Sequence, residues 1–249
     1  MTRICSHIAF VLLVLALGSA SSAQSALPDA PSQTRDHNIV REIVVDQKTV
    51  WTAPAHIHKS DLKWILPLGA ATAALIATDR RSSGALGPSE TRQDVSDAIS
   101  HLGAAYSTFG ASGLMWAAGR WNHNERLQRT GYEGVEALTD SSIVILALKV
   151  ATNRQRPVSG DHDGAFWEGG KSFASGHAIM SWTMASVVVH EYKSPWIAAA
   201  AYGTAGAVSA ARFTGKNHFA SDVLVGSTLG YLIGRFIVHR HHEDTVPNP

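Results

Sequence analysis

Cysteine is almost absent from this 249-residue chain: the only one, Cys5, lies near the N-terminus, so neither a disulfide framework nor a thiolate-ligated zinc site can be built. Charge is also scarce. Only 16% of residues are Asp, Glu, Lys or Arg, and the 21 basic against 20 acidic residues leave a formal net charge of +1. That near-balance excludes a general nucleic-acid binder and an acidic disordered chain. Long uninterrupted apolar runs are missing too, and the mean hydropathy is close to zero, between soluble proteins and multi-span membrane proteins.

Residues 1–23 read as a secretory signal. Arg3 sits in a short basic region, an apolar run follows from Ile8 to Leu17, and Gly18-Ser-Ala-Ser-Ser-Ala23 supplies small residues for cleavage after Ala23. The run is well short of the roughly 20 residues of a spanning helix. Residues 24–59 are polar and carry proline, with Val and Ile concentrated in Ile39-Val-Arg-Glu-Ile-Val-Val45, and are expected to form an extended N-terminal arm.

Six apolar stretches follow, approximately Trp64–Thr78, Ile99–Gly119, Val135–Ala151, Ala178–His190, Trp196–Ala211 and Val223–Val238. They are rich in Ala, Leu and Gly, too long for strands, and separated by turn-forming segments. They predict an all-α bundle of about six core helices over residues 60–240, with a flexible tail at 241–249. Glu136, Asp140, Lys149 and Arg235 fall inside these stretches, where a lipid-facing span would resist them. Gly226, Gly230 and Gly234, four apart, form a small-residue stripe that suits close helix contact in bilayers and in soluble bundles alike.

Three clusters carry chemistry. Lys149 and Arg156 are seven residues apart and would share a helix face if the helix ran that far, although Pro157 discourages it. Two cations near a helix end suit an anion such as phosphate. Ser172-Phe-Ala-Ser-Gly-His177 precedes an apolar run: Ser175 reads as an N-cap, Gly176 lets a ligand approach the first N–H groups, and His177 stands in the first turn. Arg212, His218 and Asp222 form the third. The four-residue spacing allows a carboxylate to hold one ring nitrogen and leave the other as a nucleophile, or Asp222 simply caps the last helix. His56-Ile-His58 and His239-Arg-His-His242 read as solvated polar flanks, with metal binding as the alternative, and no metal site is expected.

Taken together, Lys-x6-Arg-Pro, Ser-Gly-His and Arg-x5-His-x3-Asp, in that order between Lys149 and Asp222, resemble the three-part signature of the type 2 phosphatidic acid phosphatase (PAP2) and vanadium haloperoxidase superfamily. Two positions depart from the usual pattern, Ala174 where Pro is common and Ala211 where Ser is common. The resemblance implies a metal-independent phosphatase acting on a phosphate monoester through a phosphohistidine. His218 would be the nucleophile, Asp222 its orienting partner and His177 the proton donor to the leaving oxygen. Lys149, Arg156 and Arg212, with Ser175 and Gly176, would hold the phosphate. No cofactor is implied, and vanadate is expected to inhibit. The alternatives are a vanadium-dependent haloperoxidase and a non-catalytic phospholipid-binding envelope protein.

The partner is then a phosphorylated small molecule or a phospholipid, with membrane association left open and nucleic acid excluded. The favoured location is periplasmic or secreted, and the alternative is an integral membrane protein whose site faces outward. Selectivity is expected in the loop from Val158 to Lys171, where Trp167 lies near the catalytic turn.

Overall fold

The computed structural model describes residues 38–158 and 163–244. The signal reading, Cys5, the first part of the expected arm and residues 245–249 lie outside the described residues. Within them the chain is all-α, as predicted. The helices are α1 (Ile39–Thr52), α2 (Leu62–Ala85), α3 (Glu90–Ser100), α4 (Ala105–Trp121), α5 (Glu125–Thr152), α6 (Gly176–Tyr192), α7 (Pro195–Thr214) and α8 (Ala220–Asp244), with 3-10 turns at Ala53–His56 and His101–Gly103.

Local chemistry sets the helix ends. Asn124 caps α5 by accepting the Leu127 N–H at 3.0 Å, and Asn153 ends it in the left-handed conformation (φ 42°, ψ 39°). Ser175 caps α6, whose far end is closed by Lys193, also left-handed. Pro195, with its missing N–H and fixed φ, opens α7.

Helix α6 is the centre of the bundle, packed against α5, α7 and α8; α4 lies on α5, α3 on α7, α2 on α8 and α1 on α5. The core joins Leu138, Val144 and Ile145 of α5, Ile179 and Val187 of α6, and Ile233, Ile237 and Val238 of α8. The glycine stripe of α8 faces α6. A Cβ at Gly226, Gly230 or Gly234 would stand 2.6, 2.3 or 2.5 Å from the carbonyl oxygens of Ser175, Ile179 and Thr183, so only glycine lets these two backbones meet so closely.

Two expectations need correction. Residues 39–52 are not extended: α1 is helical although rich in β-branched residues, because Asp46, Glu42 and Gln47 reach polar partners on α5 and α8. Tertiary contacts override local propensity here. Nor does the chain become a tail at His241. Helix α8 continues to Asp244, with His241 Nε2 2.6 Å from a Glu136 oxygen and His242 Nε2 2.6 Å from a Glu191 oxygen. Those partners also account for the internal charges of α5: Glu136 and Asp140 are buried among polar groups.

Apolar surface is abundant on two elements. Helix α1 is inverted, burying Asp46 while Val40, Val44, Val45 and Trp51 are exposed. On α2, Trp64, Leu66 and Ile76 are exposed, and burial is confined to Asp79 and Ser83 near its C-terminal end. Among the described residues one helix, Ala220–Glu243, is long and apolar enough to cross a membrane.

Candidate functional site

The three sequence clusters meet at one end of the bundle, where the C-terminus of α5, the N-termini of α6 and α8, and the C-terminus of α7 come together. The convergence of Lys149 and Arg156 does not come from a shared helix face. Helix α5 stops at Thr152, and the chain reverses through Asn153, so the following loop brings Arg156 back toward Lys149. Burial and then Arg156 lower the Lys149 ammonium to about 8, and burial and then Arg156 lower the Arg212 guanidinium to about 10. Arg212 is 6% exposed, and its buried Nε has no hydrogen-bond partner among the described residues. A buried donor without an acceptor, beside two further cations, is a site prepared for an anion.

Gly176 opens α6 under Lys149. A Cβ there would meet only the Lys149 Cε, at 4.0 Å, so the helix N-terminus lies beneath the ammonium with little else in the way. Ser175 is where the sequence placed it as a cap. It is fully buried, its hydroxyl accepts the Ala178 N–H at 3.5 Å, and its own N–H donates to the Asp222 carbonyl at 2.9 Å. That hydroxyl serves the helix end.

His218 is 2% exposed, and its Nδ1 lies 3.6 Å from Asp222 Oδ2. Between them stands Ser172, whose Oγ is 3.5 Å from the ring nitrogen and donates to the same carboxylate oxygen at 2.5 Å. Asp222 also caps α8 by accepting the Phe219 N–H at 3.0 Å, so its capping and orienting roles coexist. Burial outweighs the Asp222 contact and lowers the His218 pKa to about 4. Asp222 itself, which burial alone would raise, is held below the usual carboxylate range by His218, Arg154 and Ser172. His177 is half-buried, and burial followed by the Arg212 charge lowers it to about 3. Both imidazoles are therefore neutral at pH 7 before substrate binds, with lone pairs available.

The sequence reading missed Arg154. Its side chain, 1% exposed, lies between the rings of Phe166 and Phe219, with centroids 4.7 and 4.5 Å away. It donates to Asp222 Oδ1 at 2.6 Å, Asp79 Oδ2 at 2.9 Å, Ser221 Oγ at 2.7 Å and the Gly164 carbonyl at 2.9 Å. Asp79, on α2, also accepts the Ser221 hydroxyl and, at 3.3 Å, the Ser221 N–H. One guanidinium thus fixes the Asp222 carboxylate beside His218, the start of α8, the 164 turn and α2. The signal available was a second arginine two positions before Arg156 in a charge-poor chain.

At the rim, His101 and Asp97 of the α3 end act on His177 and Arg212 through their charge or proximity. Trp167, left-handed at φ 63°, is 76% exposed, and its indole N–H donates to the Ala151 carbonyl at 3.1 Å, so it stands at this pole as expected.

The model of the PAP2 superfamily matches residues 135–245. A stretch of 65 residues is 37% identical to the lipid A 1-phosphatase of Porphyromonas gingivalis, covering 25% of this chain and 15% of the length of that protein. Among solved structures, a transmembrane PAP2 type phosphatidylglycerolphosphate phosphatase from Bacillus subtilis superposes with a TM-score of 0.56 at 20% identity, covering 74% of this chain and 98% of that one. LpxE from Aquifex aeolicus gives a TM-score of 0.49 at 21% identity, with 61% and 88% covered. The Bacillus subtilis structure shares the fold.

Proposed function

We propose that this chain, whose residues 135–245 match the PAP2 superfamily model, is a metal-independent phosphatase of that superfamily that removes phosphate from a lipid phosphate monoester through a phosphohistidine on His218. The observation that carries this reading is the buried, partnerless Nε of Arg212 beside Lys149 and Arg156, with two neutral imidazoles at the same pole.

In the first step His218 Nε2 forms a bond to phosphorus as the bond to the leaving oxygen breaks, and His177 delivers a proton to that oxygen. Water then attacks phosphorus, gives its proton to His177 and breaks the N–P bond, releasing phosphate. Lys149, Arg156, Arg212 and the Gly176 N–H hold the non-bridging oxygens, where positioning and electrostatic stabilisation supply most of the rate. His177 is neutral before substrate binds, so the proton it donates arrives with the substrate. A phosphate ester carrying one proton, on a group whose second pKa is near 6, supplies it as it enters the cationic pocket.

A lipid substrate is favoured over a soluble one by the outward apolar residues of α1 and α2, by Trp167 at the mouth and by the named activity of the Porphyromonas gingivalis relative. The protein then works at a membrane, reached by secretion. The deciding assay compares a short-chain phosphatidic acid with para-nitrophenyl phosphate in EDTA. Turnover of both, inhibited by vanadate and faster on the lipid, supports the reading. Lipid binding without turnover would leave only a binding module, and vanadate-dependent halide oxidation would make it a haloperoxidase.

The pH dependence follows from the free protein and the free ester. His218 must be neutral to attack, so kcat/KM rises as pH increases through about 4; the entering ester must carry its proton, so it falls as pH increases through about 6, and it falls again through about 8 as Lys149 loses the charge that holds phosphate. A profile measured from pH 3 to 10 checks all three limbs, and Lys149→Arg is expected to move the limb near 8 upward while leaving the limbs near 4 and 6 in place.

A further inference from the structure

Among the described residues, the pole opposite the phosphate pocket holds six carboxylates, Glu42, Asp46, Glu133, Glu136, Asp140 and Glu191, all buried except the half-buried Glu42. The cations that form ion pairs with them among the described residues are Arg240, which pairs with Asp46 and Glu136, Arg129, 3.0 Å from Glu191, and the two histidines His241 and His242. Even with both imidazoles protonated, the acids outnumber these cations by two. Buried negative charge in such excess must be neutralised by protons or by a bound cation.

Glu133 decides where. It is fully buried, and neither of its carboxylate oxygens has a hydrogen-bond partner among the described residues. It offers an oxygen within 4.8 Å of an oxygen of Glu191 and a ring nitrogen of His242. The neighbouring triad of Glu42, Glu136 and His241 has similar spacing, but its carboxylates are already served. Arg240 donates to Glu136 at 2.6 Å and the Tyr132 hydroxyl donates to Glu42 at 2.6 Å. Around Glu133, by contrast, no donor reaches either carboxylate oxygen among the described residues.

We propose that Glu133, Glu191 and His242 bind one divalent transition-metal ion of the Zn2+ type, which ties the end of α8 to α5 and α6. Two carboxylate oxygens and one imidazole nitrogen suit zinc, manganese or cobalt better than calcium or magnesium, which favour oxygen alone. Ligand atoms about 2.0–2.2 Å from one ion lie closer together than the present spread, so the three side chains draw in around it. His242 gives up its 2.6 Å contact with one Glu191 oxygen, while Arg129 keeps the other. The side chain of His242 is 41% exposed, which gives the ion a way in from solvent. Sixteen residues of α5 separate Glu133 from Lys149, roughly 24 Å along the helix. The ion is therefore remote from the phosphate and takes no part in the chemistry there.

The test uses untagged full-length protein, stripped with EDTA and dialysed against Zn2+, with bound metal measured by mass spectrometry and unfolding followed by temperature. One ion per chain is expected, with a Tm rise on the order of 5–10 °C at saturating metal. Glu133→Gln and His242→Ala should each lose the ion and the shift, whereas His218→Ala keeps both. Glu133→Gln preserves shape, and burial together with the nearby Glu191 charge already disfavours the ionised Glu133. Its metal-free Tm should therefore match or exceed the parent's, which separates ligand loss from misfolding. The proposal is overturned if the parent binds no stoichiometric ion, or if the ion survives Glu133→Gln, or if Glu136→Gln alone removes it. A proton shared between Glu133 and Glu191 would then account for the buried pair.

Discussion

His218→Ala should reduce turnover to background on lipid and soluble phosphate esters alike, a loss of at least about 10⁴-fold in kcat. The reason is compositional as well as geometric. Among the described residues of the phosphate pole the imidazoles of His177 and His218 are both neutral, and His218 is the one backed by a carboxylate through Asp222 and Ser172. The cations proposed to hold phosphate are untouched by the substitution, so vanadate and inorganic phosphate should still bind with little change. A 2% exposed imidazole leaves a small buried void when removed, and a modest fall in Tm is expected. Rapid-quench labelling with a 32P-labelled substrate provides the direct reading. The parent chain should carry acid-labile, base-stable phosphate and the variant none. Wild-type-like turnover in purified His218→Ala would end the phosphohistidine reading.

Much of that site is legible in the sequence because the motifs are contiguous and punctuated. Ser175 before Gly176 announces a helix start, and Arg212, His218 and Asp222 fall around a helix boundary where capping and catalysis want the same residue types. The all-α class is equally plain in long Ala- and Leu-rich stretches. The boundaries are less so. The apolar stretch Ile99–Gly119 hides a break, since the 3-10 turn His101–Gly103 divides α3 from α4, and apolar composition does not change across it. Helix α1 escapes a sequence reading because its local signals point the wrong way. Val40, Val44 and Val45 face outward, and the polar side that it buries meets long-range partners, Asp46 pairing with Arg240 from the other end of the chain. The same holds for Glu133, Glu191 and His242, which lie on three helices and carry no spacing that a sequence pattern could detect. Long-range polar contacts between buried charges are the common blind spot.

Arg154 is the sharpest case of such a contact, and Arg154→Met should lower stability by about 3–5 kcal/mol and kcat by two orders of magnitude or more while leaving KM close to the parent value. Met has comparable length and can occupy the slot between Phe166 and Phe219, but it leaves Asp79 and Asp222, 1% and 0% exposed, without their shared cation. Stranding one partner of a buried ion pair costs roughly that amount. The catalytic loss follows from Asp222. Without the Arg154 charge its carboxylate becomes easier to protonate, and a neutral Asp222 no longer supports the imidazole as it takes on phosphorus and positive charge. KM is spared because Arg154 is sealed beneath the pocket and contacts no phosphate oxygen in the proposed pose. Arg154→Lys keeps the charge but cannot span two carboxylates, a hydroxyl and a carbonyl with one ammonium, so it should recover part of the stability and less of the rate. Adding Asp79→Asn to Arg154→Met removes one of the two stranded acids. Stability should then rise relative to the single variant while kcat stays low, because the acid that matters for His218 is Asp222. A double variant that regained both together would show Arg154 to be only a structural tie between α2 and the core, with no hold on the nucleophile.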